Sequence, residues 1–190
     1  MDKRSRLVKL KREMLADKSL PLVGGATNLV FGEGTADTPI VFIGEGPGFH
    51  EDQQGRPFVG RAGKLLDELL QSIDLDRSKV YITNVVHHRP PENRDPTPSE
   101  ISAYGKYLDQ MIDVISPRVI ITLGRFSMSK FIPGIKITGS HGSPHNVKWN
   151  GDKIVVIPMY HPAAGLRNPS FKNALFEDFA KAKHLIDLVV

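Results

Sequence analysis

Residues 40–48 read Ile-Val-Phe-Ile-Gly-Glu-Gly-Pro-Gly. The first four are apolar without polar alternation, which is typical of a strand buried on both faces of a sheet. The glycines that follow allow a turn whose backbone N–H groups can come close to a ligand. Three more apolar runs of the same kind occupy residues 80–86, 119–123 and 154–157. We therefore predict a central sheet of four buried, parallel strands.

Helical patterns lie between and after these strands. Apolar residues recur every three to four positions over residues 62–73, 101–115 and 175–189, as on the buried face of an amphipathic helix. The second of these helices is opened by Thr97-Pro98-Ser99-Glu100, a capping box with proline at the first helical position. A basic helix is predicted from Ser5 to Leu15. The alternation predicts an α/β fold, a three-layer α/β/α sandwich around a central four-stranded parallel sheet.

The composition is that of an ordinary globular chain. Its 190 residues are 40% hydrophobic and 24% charged, which suits a single domain over residues 1–190 with a well-buried core. No apolar run approaches the roughly 20 residues that a membrane span needs, and the first residues lack a signal-peptide core. We expect a soluble, cytoplasmic monomer. The net charge of +4 favours a polyanionic partner such as nucleic acid.

Polar and aromatic residues cluster just beyond the predicted strand ends, where ligands bind in parallel sheets. They are Glu45, Gly46, Glu51, Phe58, Asn84 and His161. A carboxylate, an aromatic face, an amide and an imidazole can together hold a flat nitrogenous base and cleave the bond to its sugar. Taken singly, these residues also suit a tight turn, a core phenylalanine, a surface carboxylate and a capping histidine. Their coincidence at one edge of the sheet favours a base-binding pocket.

Four of these side chains match the chemistry of excising uracil. The amide of Asn84 can donate to a carbonyl and accept from the adjacent ring N–H, which is the pattern of uracil, whereas cytosine presents the reverse. His161 can donate to an oxygen on which negative charge develops as the base leaves. Phe58 can stack on the base, which contributes roughly 1–3 kcal/mol. Glu51 can polarise a water molecule or stabilise a cationic sugar.

No metal site is predicted. The chain has no cysteine, which excludes disulfides and thiolate-held metals. His87 and His88 are adjacent, so their side chains would point different ways on an extended chain. A helix that would bring His141 and His145 together is disfavoured by the glycines and proline around them.

Five stretches of the chain together resemble family 4 uracil-DNA glycosylases. They are residues 41–48, 55–66, 83–86, 89–98 and 161–163, within a similarity that begins near Asn28. The resemblance implies that the backbone around Glu45 and Gly46 offers hydrogen-bond donors to the base. It also implies that Phe58 stacks on the base, that Asn84 reads its edge and that His161 faces its O2 side.

The same resemblance assigns Glu51 as the active-site glutamate. Three roles stay open for it: positioning the water, stabilising the sugar cation, or excluding the methyl group of thymine. Residues 162–167 resemble the loop that enters the duplex, which makes Leu166 and Arg167 candidates for the wedge that contacts DNA. The loop over residues 84–98 lacks the insertion, with its nucleophilic histidine, of relatives that become trapped on DNA. An ordinary hydrolytic enzyme is therefore expected.

The chain departs from the family at the cofactor. Family 4 enzymes carry a four-iron four-sulfur cluster on four cysteines, and the matching positions here are Asp17, Leu20, His88 and Tyr104. Iron–sulfur centres require thiolates, so we predict a cluster-free member without metal or other cofactor. Leu20 and Tyr104 are expected to fill the vacated space with apolar contacts.

The function that these observations predict is a monofunctional DNA-repair glycosylase. It would flip uracil out of single- or double-stranded DNA, hydrolyse the N-glycosidic bond and leave an abasic site. One alternative is a glycosylase for another deaminated base, such as hypoxanthine. Another is a non-catalytic module that binds damaged DNA. Both alternatives stay open at the level of sequence.

Overall fold

The computed structural model describes residues 1–189 of the chain. Its sheet consists of β1 (Glu33–Gly34), β2 (Ile40–Gly44), β3 (Tyr81–Asn84), β4 (Val119–Leu123), β5 (His145–Trp149) and β6 (Asp152–Met159). The order across the sheet is β1-β3-β2-β4-β6-β5. Strands β3, β2, β4 and β6 run parallel to one another. The predicted four-stranded parallel sheet is thus confirmed as the centre of a six-stranded sheet.

The two outer strands, β1 and β5, are antiparallel and absent from the prediction. β1 is only two residues long, and no residue of β5 is buried. Neither strand therefore shows an apolar run in the sequence. Strands β5 and β6 form a hairpin whose turn is Asn150-Gly151, and both turn residues have positive φ. An Asn-Gly pair is a favoured two-residue hairpin turn, so this dipeptide was the available signal.

Helices cover both faces of the sheet. They are α1 (Lys3–Ala16), α2 (Phe49–Gln54), α3 (Arg61–Ser72), α4 (Pro98–Ile115), α5 (Arg125–Phe131), α6 (Pro162–Arg167) and α7 (Pro169–Asp187). Alternate residues of β2 point to opposite faces. Val41 and Ile43 join the core formed with α1 and α4. Ile40 and Phe42 join the core formed with α3 and α7, which confirms the three-layer α/β/α sandwich.

The predicted helix signals hold in the structure. Thr97 Oγ1 accepts from the backbone N–H of Glu100, and the Glu100 carboxylate accepts from the backbone N–H of Thr97 at 2.8 Å, so the capping box opens α4. The basic helix is α1, and Leu7, Leu10 and Met14 form its buried side. Within residues 1–189, every helix is too short or too polar to cross a lipid bilayer.

Candidate active site

A cavity of about 580 Å³ opens at the carboxyl ends of the four parallel strands. Its walls come from the turn after β2, the end of β3, the start of α5 and the segment between β6 and α6. It is lined by six of the residues singled out in the sequence: Glu45, Gly46, Glu51, Phe58, Asn84 and His161. The fold therefore brings together, around one cavity, groups that lie more than 100 residues apart in the chain.

Two glycines allow Phe58 and Asn84 to approach the strand ends. A Cβ atom on Gly44 would lie 2.4 Å from Asn84 Oδ1 and 2.6 Å from Phe58 Cζ. A Cβ atom on Gly63, in the first turn of α3, would lie 1.9 Å from the carbonyl oxygen of Phe58. Sequence reasoning missed the role of both glycines because the clashing atoms come from other parts of the chain. The sequence signal for Gly63 was its position inside an amphipathic helix, since glycine destabilises a helix and usually occurs there because of a close packing contact.

The backbone of Phe58 is itself unusual. Its φ is +50°, a left-handed conformation that a bulky residue rarely adopts. Such strain persists only where the surrounding structure enforces it, and it concentrates at ligand sites. The Phe58 ring is stacked on that of His161, with centroids 5.6 Å apart and planes 26° apart. One wall of the cavity thus carries both the aromatic face and the imidazole.

Asn84 ends β3, lines the cavity and carries an acceptor without a partner. The residue is only 1% exposed, and its Oδ1 is buried without a hydrogen-bond partner in residues 1–189. An unpaired buried polar atom costs about 1–3 kcal/mol. Among the six such side-chain atoms in residues 1–189, Asn84 Oδ1 is the one that belongs to a residue lining the cavity. An N–H group of a ligand in the cavity would satisfy this oxygen.

His161 is both a helix cap and a potential donor. Its Nδ1 accepts a hydrogen bond from the backbone N–H of Ala163 at 3.1 Å, at the start of α6. Burial lowers the pKa of His161 to about 4, the positive charge of Arg167 adds to this, and Glu51 partly opposes it. The ring is therefore neutral at pH 7, with its proton on Nε2. Capping engages only one ring nitrogen and leaves Nε2–H free to donate.

Glu51 is held by three backbone N–H groups. Its Oε1 accepts from Val59 at 2.9 Å and Gly60 at 2.7 Å, and its Oε2 accepts from Gly48 at 3.2 Å. A carboxylate offers about four acceptor positions, so roughly one remains, on Oε2. The neighbouring Asp52 is buried and accepts from the backbone of residues 27 and 28, which makes it a structural anchor.

Glu45 lines the cavity with a carboxyl group of raised pKa. Burial raises the pKa of Glu45 to about 7, the backbone N–H of Phe126 opposes this, and the charge of Asp95 adds to it. The carboxyl group packs against Gly124, where a Cβ atom would lie 2.2 Å from Glu45 Oε1. The Glu45 carboxyl group thus lies where the cavity meets the start of α5.

Three arginines line the cavity, and they differ in their partners. Arg94 pairs with Glu100 at 2.6 Å and Arg125 with Asp95 at 2.5 Å. Arg167 forms no ion pair with any carboxylate of the described chain. The predicted wedge segment is a short helix, α6, because Pro162 follows the capping His161. Leu166 on this helix lies outside the cavity wall and is 38% exposed.

The positions that match the cluster cysteines do not fit an iron–sulfur cluster. Tyr104 is fully buried, and its hydroxyl donates to the carbonyl oxygen of Pro21 and lies 2.8 Å from His88 Nδ1. Because that hydroxyl proton is engaged, His88 Nδ1–H is the donor to Tyr104. Leu20 is buried, and the Asp17 carboxylate accepts from neighbouring side chains.

Leu20 and Tyr104 are both buried, and Tyr104 forms hydrogen bonds as well as apolar contacts. The chain has no cysteine, and residues 1–189 contain no group of three or more His, Asp or Glu side chains placed to hold a metal ion. His87 and His88 bind separate partners, the carbonyl oxygen of Val30 and the hydroxyl of Tyr104.

Comparison with known proteins agrees with the geometry of this site. Residues 31–182 match the family model of the Uracil DNA glycosylase superfamily. The Type-4 uracil-DNA glycosylase of Thermotoga maritima is 50% identical over 170 residues, which cover 87% of each chain. The Type-4 enzyme of Sulfurisphaera tokodaii is 45% identical over 94% of this chain and 84% of its own. The Type-4 enzyme of Archaeoglobus fulgidus is 44% identical over 92% of this chain and 90% of its own. The chain belongs to the uracil-DNA glycosylase superfamily.

Proposed function

We propose that this chain hydrolyses the N-glycosidic bond of uracil in DNA and leaves an abasic site. The observation that carries this proposal is the buried, unpartnered Oδ1 of Asn84 in a cavity that also presents Phe58 and His161. This set of groups complements a flat base with a ring N–H flanked by two carbonyls. The Type-4 uracil-DNA glycosylases similar to this chain carry that activity in their names.

Asn84 distinguishes uracil from cytosine in this proposal. Its Oδ1 accepts from N3–H of uracil while its amide nitrogen donates to O4. Cytosine would place the N3 acceptor against Oδ1 and its exocyclic amine against the amide donor, so two favourable contacts become repulsive. The base reaches the cavity by flipping out of the strand, and Phe58 stacks on it once it is there.

His161 and Glu51 act on the two charges that develop as the bond breaks. The departing uracil becomes negative, and the Nε2–H of His161 donates to its O2. The sugar becomes positive, and the carboxylate of Glu51 stabilises it. With three of about four acceptor positions already occupied by backbone N–H groups, Glu51 acts through its charge and by orienting the attacking water, rather than by moving to abstract a proton.

DNA is held by groups of α6, at the edge of the base pocket. Arg167 supplies a guanidinium without a carboxylate partner in the described chain, and the exposed Leu166 beside it is our proposed wedge between the strands. We further infer that residues 1–190 form one domain and that the enzyme is a monofunctional monomer. It works without an iron–sulfur cluster, because hydrogen-bonded side chains occupy the positions of the ligands.

An excision assay tests the proposal. End-labelled oligonucleotides containing one uracil or one hypoxanthine are incubated with the protein and then treated with alkali, which breaks the strand at abasic sites. We expect cleavage at uracil and none when His161 and Glu51 are both replaced by alanine. Cleavage only at hypoxanthine would indicate a different base specificity. Binding of the uracil strand without cleavage would indicate a non-catalytic module.

A further inference from the structure

Phe49 has a large aromatic side chain that is exposed on the surface of the protein. It is the first residue of α2 and is 50% exposed, whereas Phe42 and Phe58 are buried. The guanidinium carbon of Arg89 lies 5.2 Å from the centroid of its ring. The His50 ring meets its edge at 5.5 Å, nearly perpendicular to it. Phe49 is thus held in place by Arg89 and His50 while half of it remains accessible.

The Phe49–Arg89 pair spans two walls at the mouth of the cavity. Phe49 directly follows Gly48 and Arg89 directly precedes Pro90, and both of those residues line the cavity. Arg89 Nε also donates to Asn93 Oδ1 at 2.7 Å, and Asn93 is another lining residue. Neither Phe49 nor Arg89 lines the cavity itself. A group bound to the pair would therefore lie beside the base in the pocket and not compete with it.

The charge of Arg89 is not neutralised within the described chain. Its one hydrogen bond goes to a neutral amide, and no carboxylate of residues 1–189 lies within ion-pair distance. Arg94 and Arg125, by contrast, pair with carboxylates. A guanidinium with free N–H groups binds phosphate, and an exposed aromatic ring stacks on any nucleobase. Together the two side chains match one nucleotide.

We propose that Phe49 and Arg89 form a second nucleotide site, which stacks the unpaired base next to the excised uracil in single-stranded DNA and binds its phosphate. This inference rests on the proposed function of the adjacent cavity. In a duplex the neighbouring base is paired and stacked within the helix, so it is not available to Phe49. The site therefore gives the enzyme additional affinity for single strands.

Steady-state kinetics of Phe49→Ala test this site. Because the flanking nucleotide is bound equally in the ground and transition states, its loss should raise KM and leave kcat unchanged. For single-stranded uracil oligonucleotides we expect about a tenfold rise in KM, within the range of one base–aromatic stack. For the duplex the rise should stay below about twofold. Arg89→Gln should raise KM in the same direction and weaken its dependence on salt.

Oligonucleotides with an abasic analogue on one side of the uracil locate the contact. On one of the two sides, removing the neighbouring base should raise the KM of the unsubstituted protein about tenfold and add nothing to the effect of Phe49→Ala. Leu15→Ala is the matched control, because Leu15 is 49% exposed on α1. Its KM should not change.

The outcomes separate this inference from the function on which it rests. If the unsubstituted protein releases uracil but Phe49→Ala has the same KM on single strands, the second site is wrong and the proposed function stands. An equal rise in KM on duplex and single strands, or full additivity with both abasic flanks, also overturns it. Failure of the unsubstituted protein to release uracil from any oligonucleotide overturns the proposed function itself.

Discussion

The base pocket and the region around Tyr104 differ in how their buried polar groups are paired. In the pocket, Asn84 Oδ1 is buried without a partner in the described chain, and Phe58 adopts a left-handed backbone conformation. In the other region, the hydroxyl of Tyr104 engages both His88 and the carbonyl oxygen of Pro21. In the pocket the unpaired atom belongs to a residue that lines the cavity, whereas around Tyr104 only His87 Nε2 is buried without a partner in the described chain, and it lies away from the cavity. The unpaired acceptor therefore lies where a ligand can reach the chain, whereas the Tyr104 hydroxyl bonds only to the chain itself.

His161→Ala should produce the largest effect and should affect turnover more than binding. Loss of one preorganised donor to a developing negative charge typically lowers kcat by on the order of 100- to 1000-fold, or about 3–4 kcal/mol. Affinity for uracil-containing DNA should stay within about threefold. Single-turnover rates and binding constants measured together check this. An affinity loss in proportion to the rate loss would make His161 a positioning residue only.

Replacing Asn84 should lower activity, and replacing it by alanine should do so without lowering stability. In Asn84→Asp the donor to uracil O4 is lost, and we expect excision to slow about 10- to 100-fold. Asn84→Ala removes an unpartnered buried acceptor, so its melting temperature should match or exceed that of the unsubstituted protein. Excision at the parental rate by both variants would show that Asn84 does not read the base.

Glu45 should make the stability of the pocket region depend on pH. Because burial raises the pKa of Glu45 to about 7, the folded state resists ionisation that the unfolded chain undergoes near 4.5. This contribution to stability is complete below pH 4.5 and is lost as pH rises through 7. The free energy of unfolding that is lost in this way between pH 5 and pH 8 is about 2 kcal/mol.

Glu45→Gln removes that titration. Denaturant midpoints measured from pH 5 to pH 8 should therefore show that the stability of the variant increases relative to that of the unsubstituted protein as pH rises. Equal pH dependence of the two proteins would contradict a raised pKa at Glu45.

Tyr104→Phe should have the smallest effect, and it should lower stability rather than activity. It removes a hydroxyl that accepts from His88 and donates to Pro21, and leaves both partners unpaired. We expect a loss of about 1–2 kcal/mol in the free energy of unfolding, with kcat unchanged below the melting temperature. Urea denaturation beside an excision assay checks both parts. An unchanged stability would mean that the hydroxyl does not hold the region together.

Apolar runs and helical periodicity were enough to predict the parallel centre of the sheet and helices α3, α4 and α7, because each buries a continuous apolar surface. They missed β5, whose alternating exposure leaves no apolar run, although Asn150-Gly151 marked the hairpin. The family resemblance predicted a loop where α6 lies, and periodicity could not correct this because six residues are too few to show a helical period.

The chemical groups of the site could be predicted from the sequence, because they depend only on residue type. The amide, imidazole and aromatic groups were identified from their places after strands. The roles of Gly44 and Gly63 were not, because they arise from contacts with Asn84 and Phe58 that exist only in the folded chain. The three backbone hydrogen bonds to Glu51 join α2 to the start of α3 and leave no local sequence pattern either.

The most direct test of the retained base site is a crystal structure of the protein with free uracil bound. We predict uracil in the cavity, stacked on Phe58, with its N3–H donating to Asn84 Oδ1 and the Nε2–H of His161 donating to O2, each at about 2.7–3.1 Å between heavy atoms. Uracil bound elsewhere, or bound in the cavity while Asn84 Oδ1 remains without a partner, would contradict the account.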